Sequence, residues 1–151
     1  MDGVWIRLAR EVDVAEVQAL VRAAYAPYLD RLPMVPVPLS ADYGTLVSAQ
    51  ACRVAATAER IVGLLVLWPR GDHLLIENLA VHPEAQRRGV GRLLLDRAEQ
   101  EARAAAIDTV RLYTNAQMTE NLGYYARHGY EETSRTGDTG LDRVFLQKRL
   151  A

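Results

Sequence analysis

The chain has 151 residues, of which 18 are basic and 19 acidic, so its formal net charge is −1. This length suits one domain, and the charge balance lacks the basic field on which nonspecific nucleic-acid binding depends. The longest apolar run, Ile61 to Trp68, is far shorter than the roughly 20 residues that span a bilayer. The lone Cys52 and the absence of a secretory-leader pattern predict one cytoplasmic domain over residues 1–151, with neither a membrane nor a nucleic acid as partner.

Hydrophobic periodicity predicts the elements in chain order. Apolar residues alternate over positions 4–8, as in a strand. Asp13 and Glu16 then have the capping-box spacing that opens a helix. The apolar face of that helix consists of Val14, Val17, Leu20, Val21 and Ala24. The proline-dense segment at residues 32–40 predicts a loop, and a short helix is expected at about residues 40–49.

The middle of the chain predicts an antiparallel meander and then a long helix. Three extended runs, at residues 52–58, 61–68 and 74–81, are joined by short turns. The period then changes to three or four residues, which predicts an amphipathic helix from about Gly89 to Ala105. A strand over residues 109–114, a short helix over 119–128 that ends at Gly129 and a closing hairpin that ends at 143–148 complete the order. Alternating strands and helices of this kind predict an α/β (α+β) fold, a mixed sheet with helices on both faces.

The segment AQRRGVGR at residues 85–92 places two glycines and two arginines where the long helix begins. A helix N-terminus carries unpaired N–H groups and about half a positive charge, and glycines let an anion approach the backbone. Arg87 and Arg88 add mobile charge, so the segment indicates a phosphate site, with a plain tight turn as the alternative. The segment is not a Walker loop, because Gly91 is followed by Arg92 and Leu93 where that motif has lysine and then serine or threonine. It is not a dinucleotide fingerprint either, because Leu94 stands where that motif has its third glycine.

Two segments together resemble the GNAT superfamily of acyl-CoA N-acyltransferases. The stretch IENLAVHPEAQRRGVGRLLLDRAEQEAR is similar to its central motif, V-x-P followed by [QR]-x-x-G-x-[GA] at the start of a helix. The matching residues are Val81, Pro83, Gln86, Gly89 and Gly91. The later LYTNAQMTENLGYYARHGYEE looks like its second motif, with Tyr125 four residues before Gly129. The resemblance covers essentially the whole chain and implies a GNAT-like, mostly antiparallel sheet flanked by helices on both faces.

The resemblance implies an acetyl-CoA-dependent N-acetyltransferase that releases CoA as product. In such enzymes the strand at residues 74–81 splays from its neighbour, often at a bulge, and its free backbone groups pair with the pantetheine amides. The N–H near Leu79 is expected to polarise the thioester carbonyl. The expected cofactor-binding residues are Leu79, Ala80, Val81, Gln86, Arg87, Arg88, Gly89, Val90, Gly91, Arg92, Asn115, Asn121 and Tyr125.

Two side chains are candidates for acid–base catalysis. Tyr125 matches the tyrosine that protonates the departing CoA thiolate in this superfamily, with core packing as the alternative. Glu77 lies inside an apolar strand near the expected thioester and is a candidate base for the amine; an exposed or arginine-paired carboxylate is the alternative. The sequence departs from the family at two positions, because Met118 stands where many members have asparagine and Asn121 where they have a small residue.

The resemblance also implies where the acceptor binds, because the loop at residues 25–38 and the final hairpin at 134–143 shape that pocket in the family. The candidate lining residues are Tyr25, Tyr28, Arg31, Met34 and Arg135. A small primary amine, with a carboxylate that faces an arginine, is the predicted acceptor. A protein lysine or N-terminal amine, a noncatalytic acyl-CoA sensor and a partner-binding domain are the alternatives, and a homodimer is left open. The three histidines lie on separate segments, so no metal site is predicted.

Overall fold

Strands and helices alternate along the computed structural model, which describes residues 3–31, 37–137 and 142–151. The strands are Trp5–Leu8 (β1), Cys52–Ala56 (β2), Ile61–Pro69 (β3), Leu74–Val81 (β4), Thr109–Asn115 (β5), Glu131–Thr136 (β6) and Arg143–Arg149 (β7). The helices are Val14–Tyr25 (α1), Val37–Ser40 (α2), Tyr43–Ser48 (α3), Val90–Ala104 (α4) and Thr119–Arg127 (α5). Within the described residues, no helix is both long and apolar enough to cross a membrane.

The strands form one mixed sheet in the order β1-β2-β3-β4-β5-β7-β6. β4 and β5 pair in parallel, and the other neighbouring pairs in the described ranges are antiparallel. The meander of β2, β3 and β4 is as predicted, and so are the bounds of α4 to within a residue or two. The mostly antiparallel α/β sheet predicted from the sequence is therefore confirmed.

The core has two parts, one on each face of the sheet. On one face, Leu94 and Leu95 of α4 belong to a buried cluster with residues of β3, β4 and β5. On the other face, Val17 and Val21 of α1 belong to a second cluster. Every residue from Ile61 to Leu67 is buried because β3 is covered on both faces, which explains its unbroken apolar run.

Two local predictions were wrong. Asp13 and Glu16 do not form a capping box at the start of α1. The Asp13 carboxylate accepts hydrogen bonds from the Arg7 guanidinium and from the N–H of Arg10, each at 2.7 Å. Glu16 accepts from the N–H of Ile61 at 2.6 Å. Asp13 therefore joins the start of α1 to β1 through Arg7, and Glu16 joins α1 to β3 through a donor that is distant in the sequence.

The proline-dense segment also differs from its prediction. Val37–Ser40, predicted as loop, forms one helical turn, and residues 32–36 lie outside the described ranges. Pro38 fits this turn because the first N–H groups of a helix have no intrahelical partner.

At the other end of the chain, β6 was predicted only as part of a hairpin. Its side chains are almost all exposed and show no apolar alternation, so the sequence does not indicate a separate strand.

Candidate active site

β4 separates from β5 in the middle of the sheet. Their pairing runs from Leu74 to Ile76 on β4 and ends there. On the other side of β4, Val66 pairs with Asn78 but Leu67 pairs with Ile76, so Glu77 is an extra, bulged residue. A bulge bends its strand and increases the local twist. The second half of β4 therefore leaves β5 and opens the gap that the sequence motif leads us to expect.

Beyond the bulge, the backbone groups of β4 face alternately toward β3 and toward the gap. The N–H of His82 donates to the carbonyl of Val62 at 2.8 Å. Because alternate residues of an antiparallel strand face the same neighbour, Ala80 directs its N–H and C=O to β3. Leu79 and Val81 direct theirs to the gap, where the Gln86 side chain donates to the Val81 carbonyl at 3.4 Å. A ligand can therefore be bound as an added strand at Leu79 and Val81.

The N-terminus of α4 is uncapped. Arg87 has φ 66° and Gly89 has φ 84°, two left-handed residues that turn the chain sharply into the helix. No side chain caps α4, and among the described residues no backbone acceptor precedes the bond from Leu93 N–H to the Gly89 carbonyl at 3.1 Å. The N–H groups of Val90, Gly91 and Arg92 are therefore available to an anion.

The two glycines of this turn are needed for different reasons. A Cβ on Gly89 would meet nothing within 4 Å, so the requirement there is its positive φ. A Cβ on Gly91 would lie 2.5 Å from the Tyr124 hydroxyl oxygen, so the requirement there is space. The sequence analysis did not predict the contact between Gly91 and Tyr124, which places α5 against the first turn of α4.

A cleft that is open to solvent lies where β4 and β5 diverge. It brings together both predicted catalytic side chains and both predicted asparagines. Its lining residues are Tyr25, Pro38, Ile76, Glu77, Asn78, Leu79, Leu112, Tyr113, Thr114, Asn115, Met118, Asn121, Tyr125 and Arg143. The Asn121 side-chain amide donates to the Thr114 hydroxyl at 3.3 Å, and the side-chain oxygen Oδ1 of Asn115 accepts from the backbone N–H of Gln117 at 2.8 Å.

Tyr125 is only 7 % exposed, yet its side chain lines the cleft. Within the described part of the chain its hydroxyl makes no hydrogen bond. Burial raises the pKa of this phenol above its usual value of 10.0, so the group is protonated at neutral pH and can give a proton. Neighbouring Tyr124 instead packs on the His128 ring, with 4.6 Å between centroids.

Glu77 lies at the bulge with its side chain partly exposed in the same cleft. It makes no ion pair with any described residue, so the arginine-paired alternative does not hold within those ranges. The next residue, Asn78, is buried and donates to the Tyr43 hydroxyl at 3.2 Å. Tyr43 in turn donates to the carbonyl of Pro38 at 2.6 Å. This chain of hydrogen bonds fixes the backbone beside Glu77.

A family model described as an acetyltransferase (GNAT) domain matches residues 48–132. The chain belongs to the GNAT acetyltransferase family. An IAA acetyltransferase of Azospirillum brasilense is 29% identical over 90 residues, which cover 58% of this chain and 59% of that relative.

Solved GNAT structures share the fold over nearly the full length. The PaiA N-acetyltransferase of Thermoplasma acidophilum, in complex with coenzyme A, has 16% identity and a TM-score of 0.84, with 97% of this chain and 98% of that chain covered. The ribosomal-protein-S18-alanine N-acetyltransferase of Escherichia coli has 19% identity and a TM-score of 0.76, with 98% and 94% covered. These likenesses place β4, β5 and α4 in the GNAT arrangement.

Of the five residues predicted to bind the acceptor, three have side chains within the described ranges, and one of these three lines the cleft. Tyr25 lines the cleft and Tyr28 does not. Arg135 is exposed on β6, outside the cleft, where its guanidinium pairs with Glu132 at 2.8 Å. Met34 and the side chain of Arg31 lie outside the described residues.

The sequence analysis did not identify two of the residues that line this cleft, Tyr113 and Arg143. The guanidinium carbon of Arg143 lies 4.6 Å from the centroid of the Tyr113 ring. Arg143 is the last residue of the predicted hairpin segment, but only strand pairing shows that it meets β5 at Asn115.

Cys52 takes no part in the GNAT cleft. It is 1% exposed, and burial raises the pKa of its thiol to about 11. The thiol is therefore protonated at neutral pH and is a poor nucleophile. Its environment agrees with the expected role of a small buried hydrophobe.

Proposed function

We propose that this GNAT protein transfers the acetyl group of acetyl-CoA to a primary amine of a small molecule, by direct attack in a ternary complex. One observation carries the proposal. Leu79, whose backbone faces the gap, and Tyr125 line one cleft, β4 continues from Leu79 to Val81, and α5 next to Tyr125 contacts the uncapped first turn of α4 through Tyr124. A cofactor with a pyrophosphate at one end and an amide-bearing arm at the other fits this arrangement.

The residues of the two ends would hold different parts of the cofactor. The N–H groups of Val90, Gly91 and Arg92 bind the pyrophosphate, with Arg87 and Arg88 adding charge at the rim. Leu79 and Val81 bind the pantetheine arm through their backbone. Bound acetyl-CoA supplies the thioester from which the acetyl group is transferred. Asn115 and Asn121 are further candidates for amide contacts along the same wall.

The catalytic roles follow from the groups that face the thioester end of the cleft. The N–H of Leu79 donates to the carbonyl oxygen, where negative charge develops during attack. Glu77 accepts the proton of the acceptor amine, directly or through water, and Tyr125 donates its proton to the departing sulfur. Positioning of the two reactants supplies much of the acceleration. We place this activity in the cytoplasm, because an unpaired cysteine is typical of a reducing compartment.

The test combines cofactor binding with transfer. Coenzyme A at about one hundred times its dissociation constant is expected to stabilise the fold by about 2.7 kcal/mol. Free thiol released from acetyl-CoA is then measured over a panel of small amines and peptide amines. The double variant R87Q/R88Q should bind coenzyme A more weakly, whereas R97Q, on the same helix but paired with Glu101, should bind it like the wild type.

Each outcome has a distinct meaning. If coenzyme A does not stabilise the protein, the proposed cofactor site does not exist and the proposed activity is wrong. Stabilisation without thiol release from any amine would identify a noncatalytic acyl-CoA sensor. Release with peptide amines alone would identify a protein acetyltransferase and overturn the small-molecule acceptor.

A further inference from the structure

Arg143 lines the cleft beside the Tyr113 ring. Among the described residues it makes no ion pair, whereas Arg53 pairs with Glu101 at 2.6 Å and Arg135 pairs with Glu132 at 2.8 Å. Its side chain is partly buried and lines the cleft. A partly desolvated cation without a counter-ion is unfavourable, so an anion that enters the cleft gains more there than at an exposed arginine.

The Tyr113 ring fixes the orientation of this guanidinium. The guanidinium carbon lies over the ring, 4.6 Å from its centroid. This cation–π contact holds the guanidinium in place, and the N–H donors that point away from the ring remain available. These donors form a rigid fork that matches the two oxygens of a carboxylate. The arrangement is therefore preorganised for a planar anion.

The strand order places this fork across the cleft from the candidate base. Glu77 lies on β4, Tyr113 on β5 and Arg143 on β7, which are consecutive strands of the sheet. Glu77 lies just beyond the end of the β4–β5 pairing, and Arg143 pairs with Asn115 at the end of β5. Both side chains line the same cleft, so one small ligand bound there can contact both.

We infer that the acceptor is a primary amine that also carries a carboxylate. Arg143 binds the carboxylate beside the Tyr113 ring, while the amine is directed toward Glu77. The inference rests on the proposed acetyl transfer and adds the substrate class. The sequence predicted a carboxylate that faces an arginine, with Arg31 and Arg135 among the candidate lining residues, and the inference places this role on Arg143 instead.

Matched acceptors provide the test. Each amino acid of a panel is paired with its own carboxamide, which keeps the amine and side chain but has no carboxylate. For the wild type, we expect kcat/KM to be about 10- to 100-fold higher for the acid than for the amide, the range of a charge-assisted hydrogen-bond pair. R143Q should remove this preference by raising KM for the acids, with kcat and the rates of the amides little changed.

Two further variants separate binding from structure. R143K keeps the charge but loses the fork, so it should recover only part of the preference. R135Q, on the neighbouring strand and outside the cleft, should behave like the wild type. Stabilisation by coenzyme A, measured for every variant, reports whether its fold and cofactor site are intact.

Several results would overturn the inference. A wild type that uses amides as well as acids has no carboxylate site, a conclusion that needs no variant. Equal loss of rate for acids and amides in R143Q would show a structural role for the arginine. Thiol release from amides alone overturns only this inference. Stabilisation by coenzyme A without release from either half of the panel overturns the proposed transfer as well.

Discussion

Tyr125 is buried but lines the cleft, so its hydroxyl can donate a proton to a group that is bound there. Burial raises the pKa of the phenol, so the group remains protonated beyond pH 10, where an exposed tyrosine would ionise. Tyr125→Phe is expected to lower kcat by about 10²- to 10⁴-fold with little change in coenzyme A affinity. Steady-state kinetics from pH 7 to 10 check this, and the wild type should show no alkaline loss of rate from Tyr125.

The adjacent Tyr124 is the matched control, because its hydroxyl contacts the first turn of α4 and does not line the cleft. Tyr124→Phe should therefore keep kcat within a few-fold of the wild type. Wild-type turnover in Tyr125→Phe across the pH range would show that another group protonates the thiolate.

Glu77 offers a second prediction at this scale, based on its position at the bulge of β4. Glu77→Gln should lower kcat/KM near pH 7 by about 10²-fold, because the amide cannot take a proton from the amine. Above the pKa of the acceptor amine, that amine is already the free base, so the variant should approach the wild-type rate. The pH profile measures this recovery, and a constant defect at all pH values would assign Glu77 a structural role.

At the scale of elements, Asp13 joins the start of α1 to β1 through a hydrogen bond to Arg7 at 2.7 Å. This bond, with that from the Arg10 N–H, lowers the pKa of the Asp13 carboxyl below its usual 3.8. A lowered folded-state pKa contributes stability that is complete above the unfolded value and is lost as the pH falls through the folded value. Asp13→Asn should therefore reduce the free energy of unfolding at pH 7 by about 2 kcal/mol and flatten its decline below pH 4.

Urea unfolding at several pH values measures this effect. Because the side chains of Asp13 and Arg7 are 7% and 28% exposed, the pair is partly shielded from solvent. A double-mutant cycle with Arg7→Gln should show the two residues strongly coupled. Additive losses would mean that the contact between Asp13 and Arg7 contributes little to the attachment of α1.

The contact between α4 and α5 gives a second prediction for elements. Gly91→Ala places a methyl group 2.5 Å from the Tyr124 hydroxyl oxygen, which should destabilise the protein by about 1–3 kcal/mol. Tyr124→Phe removes that oxygen, so the double variant should recover a large part of the loss. Thermal unfolding of the four proteins checks this, and an equal loss in both backgrounds would assign the effect of Gly91 to its own backbone.

At the scale of the whole molecule, β4 and β5 are paired over three residues of each strand before they diverge. A cofactor bound as an added strand would fill the gap and should slow hydrogen exchange at the amides that face it. Coenzyme A is therefore expected to protect the N–H groups of Leu79 and Val81, and not that of Ala80, which already faces β3. Exchange resolved by residue measures this, with the amides of β1 as the unaffected reference; equal protection at all three would contradict the alternation.

Features that depend only on neighbouring residues could be predicted from the amino-acid sequence. The 3.6-residue period defined α4, the alternating and unbroken apolar runs defined the meander, and Gly129 ended α5 in the left-handed conformation. The spacing of Gly89 and Gly91 also located the turn into α4. These features are local, because backbone conformation and amphipathic pattern are set within a few residues of the chain.

Contacts between residues far apart in the sequence became visible only in the folded protein. The Glu16 carboxylate accepts a hydrogen bond from the N–H of Ile61, 45 residues away, and not from the backbone N–H that the capping-box spacing predicts. Glu77 lies at a bulge because the register between β3 and β4 shifts there. Arg143 lies in the cleft because β7 pairs with β5, which places Arg143 opposite Asn115. No local pattern encodes these contacts, since strand register and long-range hydrogen bonds depend on how the whole sheet assembles.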